Sequence, residues 1–180
     1  VGEVELDVQL TINGVVVLCH DLVLTRYGHG DGVVEEMTSD ELLALDMGSW
    51  FSPHLFAATP MLSLEQLLKT HGDDFIFHIE LKGRAEELVA ANYAVVDAHR
   101  AHEQAIFTSF SYQQLARMRD VSPGSRLGWL AAWCRLSTRD YWIEPANWNC
   151  FSSVPEPVYS MSRRSPMVVL RHWRSGSEAS

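Results

Sequence analysis

From residue 63 onward, short apolar runs alternate with helical segments, and no hairpin turn joins one apolar run to the next. Ser63-Leu64-Glu65-Gln66 reads as a capping box that opens a helix to about Thr70. Phe75 to Leu81 is an apolar strand, and residues 84–101 carry apolar residues at helical spacing. Ala105 to Phe110 is the next strand, Ser111 caps a helix to about Arg119, and Arg126 to Leu130 is a further strand. Strands that are reconnected through helices must run parallel, so the chain is expected to be α/β.

The start of the chain is different. Residues 3–12 alternate polar and apolar, Asn13-Gly14 is a strong two-residue turn signal, and Val15 to His20 is the returning strand. Such a turn pairs Leu10 with Val17, Val8 with Cys19 and Asp7 with His20. Val4, Leu6, Val8, Leu10, Val17 and Cys19 then form one apolar face, and Glu5, Asp7 and His20 converge on the other. Thr38 to Glu41 is a further capping box, opening a short helix to about Asp46. From about Ala132 the pattern weakens. Met167 to Leu170 reads as one late strand, and the last residues as disordered.

Composition narrows the function. The 180 residues carry 23 acids against 14 bases, a net charge of −9 that argues against nucleic-acid or anionic-membrane binding. The acids are concentrated: residues 1–87 hold 16 acids and 4 bases. No apolar run is long enough to span a bilayer. Cys19, Cys134 and Cys150 are odd in number and widely spaced, so neither a disulfide framework nor a zinc cluster is indicated.

Two short stretches can carry chemistry. Glu5-x-Asp7 places two carboxylates on one strand face with Cα atoms roughly 6.5–7 Å apart. Taken alone, this is also what a solvent-facing hairpin carries. His20, placed opposite Asp7, adds a group able to move a proton. Glu80 and Lys82 form a second pair at the carboxyl end of an apolar strand, where α/β folds place their sites, or else a structural ion pair. Three carboxylates without a soft ligand favour Mg²⁺ or Ca²⁺ over zinc or copper. A hard cation beside a His and a Lys suits attack at a phosphorus centre.

Several motifs in order, Glu5-x-Asp7-Val8, Thr11-x-Asn13-Gly14, Val17-x-x-His20-Asp21, Leu24-x-Arg26, Asp46-x-Gly48-x-Trp50-Phe51, Pro60-x-Leu62-x-x-Glu65 and Ile79-Glu80-Leu81-Lys82, resemble the glycerophosphodiester phosphodiesterases. The resemblance is close over residues 3–83 and looser through Ser111. It implies an incomplete TIM-type (β/α) barrel over residues 1–131 with a β-hairpin at residues 3–20, followed by a poorly patterned segment, 132–180. It implies metal-dependent hydrolysis of small-molecule glycerophosphodiesters to glycerol 3-phosphate and an alcohol. Glu5, Asp7 and Glu80 would hold Mg²⁺ or Ca²⁺, His20 would act as a catalytic acid or base, and Lys82 would stabilise the phosphate charge. The family also has an upstream strand ending in His-Arg that carries a second catalytic histidine. The chain is therefore expected to be a fragment that binds the cation with little activity of its own. The alternatives are a non-catalytic ligand-binding module on the same scaffold and a sphingomyelinase-D-like phospholipase.

Overall fold

The structure, a computed structural model, describes residues 2–132 and 167–169. One sheet runs through them, in the order β2 (Val16–Leu18), β1 (Gly2–Leu10), β3 (Phe75–Leu81), β4 (Ala105–Ser109), β5 (Arg126–Ala132) and β6 (Met167–Val169). The strands β1, β3, β4 and β5 are parallel neighbours, while β2 and β6 are antiparallel edges. Helices α2 (Leu64–His71), α3 (Leu88–Ala98) and α4 (Tyr112–Val121) connect the parallel strands. The strands Phe75–Leu81 and Arg126–Ala132 lie where the apolar runs place them. The late strand at 167–169 is also present; the disorder expected beyond it falls outside the described residues.

The alternation of β1 and β3 decides which face is which. Leu6, Val8 and Leu10 join Phe77, Ile79, Leu81 and Phe107 in one buried cluster with Leu64, Leu68, Leu88, Val96 and Met118 from the three helices. Burying each such side chain stabilises the fold by roughly 1.5–3 kcal/mol. All three helices thus pack on one face of strands that follow each other in sequence order. A doubly wound sheet would carry helices on both faces. The arrangement is the wall of an incomplete (β/α) barrel. Its inner face carries the alternate residues: Asp7, Glu80, Thr108 and Gly128 are in register across four strands.

The hairpin departs from expectation by one residue. Val8 pairs with Leu18, Gln9 with Val17 and Leu10 with Val16. The loop is longer than Asn13-Gly14 alone because the Thr11 amide donates to the Val15 carbonyl (2.9 Å) and the Thr11 hydroxyl accepts from the Val15 amide (2.9 Å). Gly14 donates to the Thr11 carbonyl at a φ of 80°. These bonds describe a three-residue loop closed by a left-handed glycine, which competes with the two-residue turn. One step of register turns every side chain of the returning strand over. Val16 therefore joins the helix-side core, while Val17 and Cys19 face the other way, into a second cluster with Leu24, Val34, Leu42 and Met61. The predicted single apolar face from Val4 to Cys19 is corrected accordingly, and Asp7 is not opposite His20.

Two helices are shorter than their periodicity suggests. The Thr38 capping box forms, with Glu41 returning to the Thr38 amide, but α1 (Ser39–Leu43) stops before Asp46. The Asp46 carboxylate instead accepts from the amides of Gly48, Ser49 and Ala58 and from the Ser49 hydroxyl, folding residues 46–58 into a compact turn. These bonds, the Ser49 hydroxyl first, hold its carboxyl well below the usual carboxylate range. Helix α3 begins at Leu88 rather than near residue 84; in the segment before it, Glu35 Oε1 takes the Arg84 and Ala85 amides (2.5 and 2.9 Å).

The loop account predicts that Gly14→Ala lowers stability by about 1 kcal/mol in urea unfolding, the cost of a Cβ at positive φ. Gly124, equally open but not left-handed, is the control, and Gly124→Ala should show no such penalty.

Candidate metal and phosphoryl-transfer site

The carboxyl ends of β1 and β3 bring together what the sequence separates by more than seventy residues. Asp7 and Glu80 are register partners, and carboxylate oxygens of Glu5, Asp7 and Glu80 lie within 4.8 Å of one another. Lys82, just past the end of β3, reaches back over them. Its Nζ donates to Asp7 Oδ1 at 3.1 Å and lies 3.4 Å from Glu80 Oε1. Its backbone amide, with that of Gly83, donates to the Val8 carbonyl, which fixes the side chain's origin beside β1.

Three carboxylates against one ammonium leave a surplus of negative charge. Unit charges 4–5 Å apart, at the effective dielectric of partly buried sites, repel by about 3–4 kcal/mol. Burial raises the pKa of Glu5, with repulsion from Asp7 and Glu80 adding and Lys82 and His20 opposing. Glu80 is 5% exposed, and burial likewise raises its pKa, against the pull of Lys82. Burial opposes the charge on Lys82, but the bond to Asp7 and the field of both acids outweigh it, so its pKa is raised. The donor set is all oxygen, compact and anionic, which suits a hard divalent cation.

His20 is held differently from the expectation. It lies beyond β2, with its side chain half exposed, and its Nδ1 is 2.5 Å from Asp21 Oδ1. Arg26 Nε holds the other oxygen of the same carboxylate at 2.8 Å. The opposition of His20 to Asp7 is therefore replaced by a His20–Asp21–Arg26 chain, and Cys19 takes the place beside Asp7, donating its amide to the Asp7 carbonyl. With Nδ1 bound to Asp21, Nε2 is the ring atom left to exchange a proton. Asp21 and Arg26 were visible only as motif letters; nothing in strand periodicity marks their roles. Of the other histidines, His78 is in β3, where its Nε2 meets Glu3 Oε2 at 3.0 Å.

Beside the cluster, an open cleft of about 540 Å³ runs from Glu80 and Lys82 past Phe110 and Ser111 to Arg84 and Arg117. Its far wall is the turn into α4, where the Ser111 hydroxyl caps the Gln114 amide. Gln114 in turn donates its side-chain amide to the Gly83 carbonyl, tying that wall to the Lys82 segment.

The raised carboxyls set a pH test with a definite sign. A folded-state pKa above the ordinary value means stability that is full at low pH and lost as pH rises through the raised value. In the cation-free chain, Glu5→Gln should therefore unfold at higher urea than wild type near pH 7. The gap should close below about pH 4.5, the ordinary glutamate value.

Comparison with known proteins matches this geometry to a family. Residues 3–148 match the model of the Glycerophosphoryl diester phosphodiesterase family. A glycerophosphodiester phosphodiesterase from Caldanaerobacter subterraneus subsp. tengcongensis is 32% identical over 135 residues, spanning 71% of this chain and 54% of the relative. One from Bacillus subtilis (strain 168) is 29% identical over 135 residues, spanning 67% of this chain and 46% of the relative. Among solved structures, the glycerophosphodiester phosphodiesterase from Agrobacterium tumefaciens str. C58 aligns with TM-score 0.63 and 28% identity over 70% of this chain and 53% of that one. An Oleispira antarctica phosphodiesterase in complex with the product sn-glycerol-3-phosphate gives TM-score 0.63 and 28% identity over 72% and 54%. The chain spans about half the length of the relatives it matches. The matched span covers most of the chain and includes every charged residue of the site, and the chain belongs to the glycerophosphoryl diester phosphodiesterase family.

Proposed function

We propose that the chain carries the site of a metal-dependent phosphodiesterase that hydrolyses glycerophosphodiesters to glycerol 3-phosphate and an alcohol. The observation that carries this reading is the convergence of Glu5, Asp7 and Glu80 beneath Lys82. The three carboxylates would hold Mg²⁺ or Ca²⁺, which when bound offsets charge on the non-bridging phosphate oxygens. The named activity of the relatives, and the product bound to the Oleispira protein, support the substrate class.

The chain's own groups divide the remaining work. Lys82 presents its ammonium at the mouth of the cleft, where a phosphoryl oxygen can replace one of its carboxylate partners. Stabilising charge on those oxygens is the larger part of catalysis at phosphorus. His20 moves a proton at Nε2, and Asp21 fixes the ring through its contact with Nδ1. The cleft between Lys82 and Arg117 receives the alcohol half.

Calorimetric titration with Mg²⁺ and Ca²⁺ tests the reading. Wild type should take up one cation, and Glu80→Gln should weaken it about tenfold or more, which corresponds to about 1.4 kcal/mol. Absence of binding, or binding indifferent to Glu80, would leave a scaffold without this site. In a chain spanning the whole family fold, His20→Ala should lower glycerol 3-phosphate release by roughly 10²–10⁴-fold.

A further inference from the structure

The segment that carries His20 has left the sheet. β2 ends at Leu18, yet the Cys19 and Asp21 carbonyls still lie where water cannot serve them freely, since Cys19 is 5% exposed. Both accept from a single atom: Gln9 Nε2 lies 2.8 Å from the Cys19 oxygen and 2.9 Å from the Asp21 oxygen. Gln9 is fully buried on β1, two residues beyond Asp7 and on the same face. Its two amide protons thus bracket His20 from either side along the backbone. Among the described residues the half-exposed imidazole is held by Asp21 alone.

The chemistry of the position is selective. Two donors on one nitrogen are what two converging carbonyls require, and an ionised glutamate has none. Turning the amide over would set Oε1 against both carbonyls, so the orientation is fixed by its partners. That orientation leaves Gln9 Oε1 buried without a partner among the described residues. An apolar side chain would avoid this cost, so the residue is explained by its donors and not by packing. Cys19 contributes a weaker bond of the same sense, Sγ to the Asp21 oxygen at 3.3 Å.

We infer that Gln9 is a positioning residue: it holds the Cys19–Asp21 backbone so that His20 and its partner Asp21 are presented to the carboxylate cluster. The inference rests on the role proposed for His20. It assigns Gln9 no contact with substrate and no share in binding the cation. Glu5 and Glu80 both lie within the electrostatic reach of His20.

The test is nuclear magnetic resonance on the 180-residue chain, with Gln9→Met as a variant of similar length that lacks the amide. In wild type, both Gln9 Nε2 protons should exchange slowly and show through-bond couplings to the Cys19 and Asp21 carbonyl carbons. In Gln9→Met, amide exchange at residues 19–22 should rise about tenfold, the effect of losing one or two net hydrogen bonds. The His20 ring signals should move to those of Asp21→Asn, while affinity for Mg²⁺ stays within about threefold of wild type. An unchanged His20 signature in Gln9→Met overturns the inference. So does loss of cation affinity in that variant, which would make Gln9 a general support of the site. Should Gln9→Met fail to fold, fast exchange of the Gln9 amide protons in wild type overturns it equally. Failure of the proposed function itself reads out separately, in the dependence of cation binding on Glu80.

Discussion

Three carboxylates share a space in which one ammonium cannot neutralise them, and much of the local structure is arranged around that imbalance. Glu5 and Asp7 come from one strand, and Glu80 from its parallel neighbour. Parallel pairing in register sets Asp7 beside Glu80, and the helix-side core of Val8, Ile79 and Leu81 prevents either strand from sliding to relieve the repulsion. A slip of one residue would carry the acids into the apolar cluster. The core therefore supplies the free energy that keeps like charges together, and burial, with repulsion between the acids adding to it, raises the pKa of Glu5 and of Glu80.

Around this centre, loops are fixed by polar side chains spent on backbone groups. Glu35 takes the Arg84 and Ala85 amides, Gln114 bonds the Gly83 carbonyl, and Gln9 bonds the carbonyls on either side of His20. Gly83 is where these restraints meet. A Cβ there would lie 2.8 Å from Glu35 Oε1 and 3.3 Å from the Gln9 Cα. Close approach of three segments beside Lys82 is thus eased by a glycine, since a Cβ would require Glu35 to move and crowd the Gln9 backbone. Such bonds hold reactive side chains in place while leaving them exposed, which packing alone cannot do.

Much of this was legible in the sequence. The period-two pattern of residues 3–10 and the apolar run at 75–81 were enough to place Glu5, Asp7 and Glu80 on strands, because strand periodicity depends on burial and is local; that the three converge was implied by the family resemblance. The capping boxes at Thr38 and Ser63 formed as written, since each is a reciprocal pair of bonds within four residues. The hairpin register was not legible. Asn13-Gly14 favours a two-residue turn, and a single hydroxyl, that of Thr11, tips the balance toward the longer loop. That difference of one residue moved His20 from Asp7 to Asp21. Glu35 and Asp46 were equally hidden: each accepts backbone amides, from a distant segment or across a turn, and such bonds leave no mark in periodicity. Gln9 offered a faint signal, a polar residue continuing the face of Glu5 and Asp7 toward a buried strand end.

The central claim, that the carboxylate cluster held together by the core is a site for a divalent cation, is tested most directly by diffraction from crystals soaked in Mn²⁺. The account predicts an anomalous peak among the carboxylate oxygens of Glu5, Asp7 and Glu80, and its loss in Glu80→Gln. A peak elsewhere, or no peak with Lys82 still bridging Asp7 and Glu80, would contradict it and leave the lysine as the cluster's sole counterion.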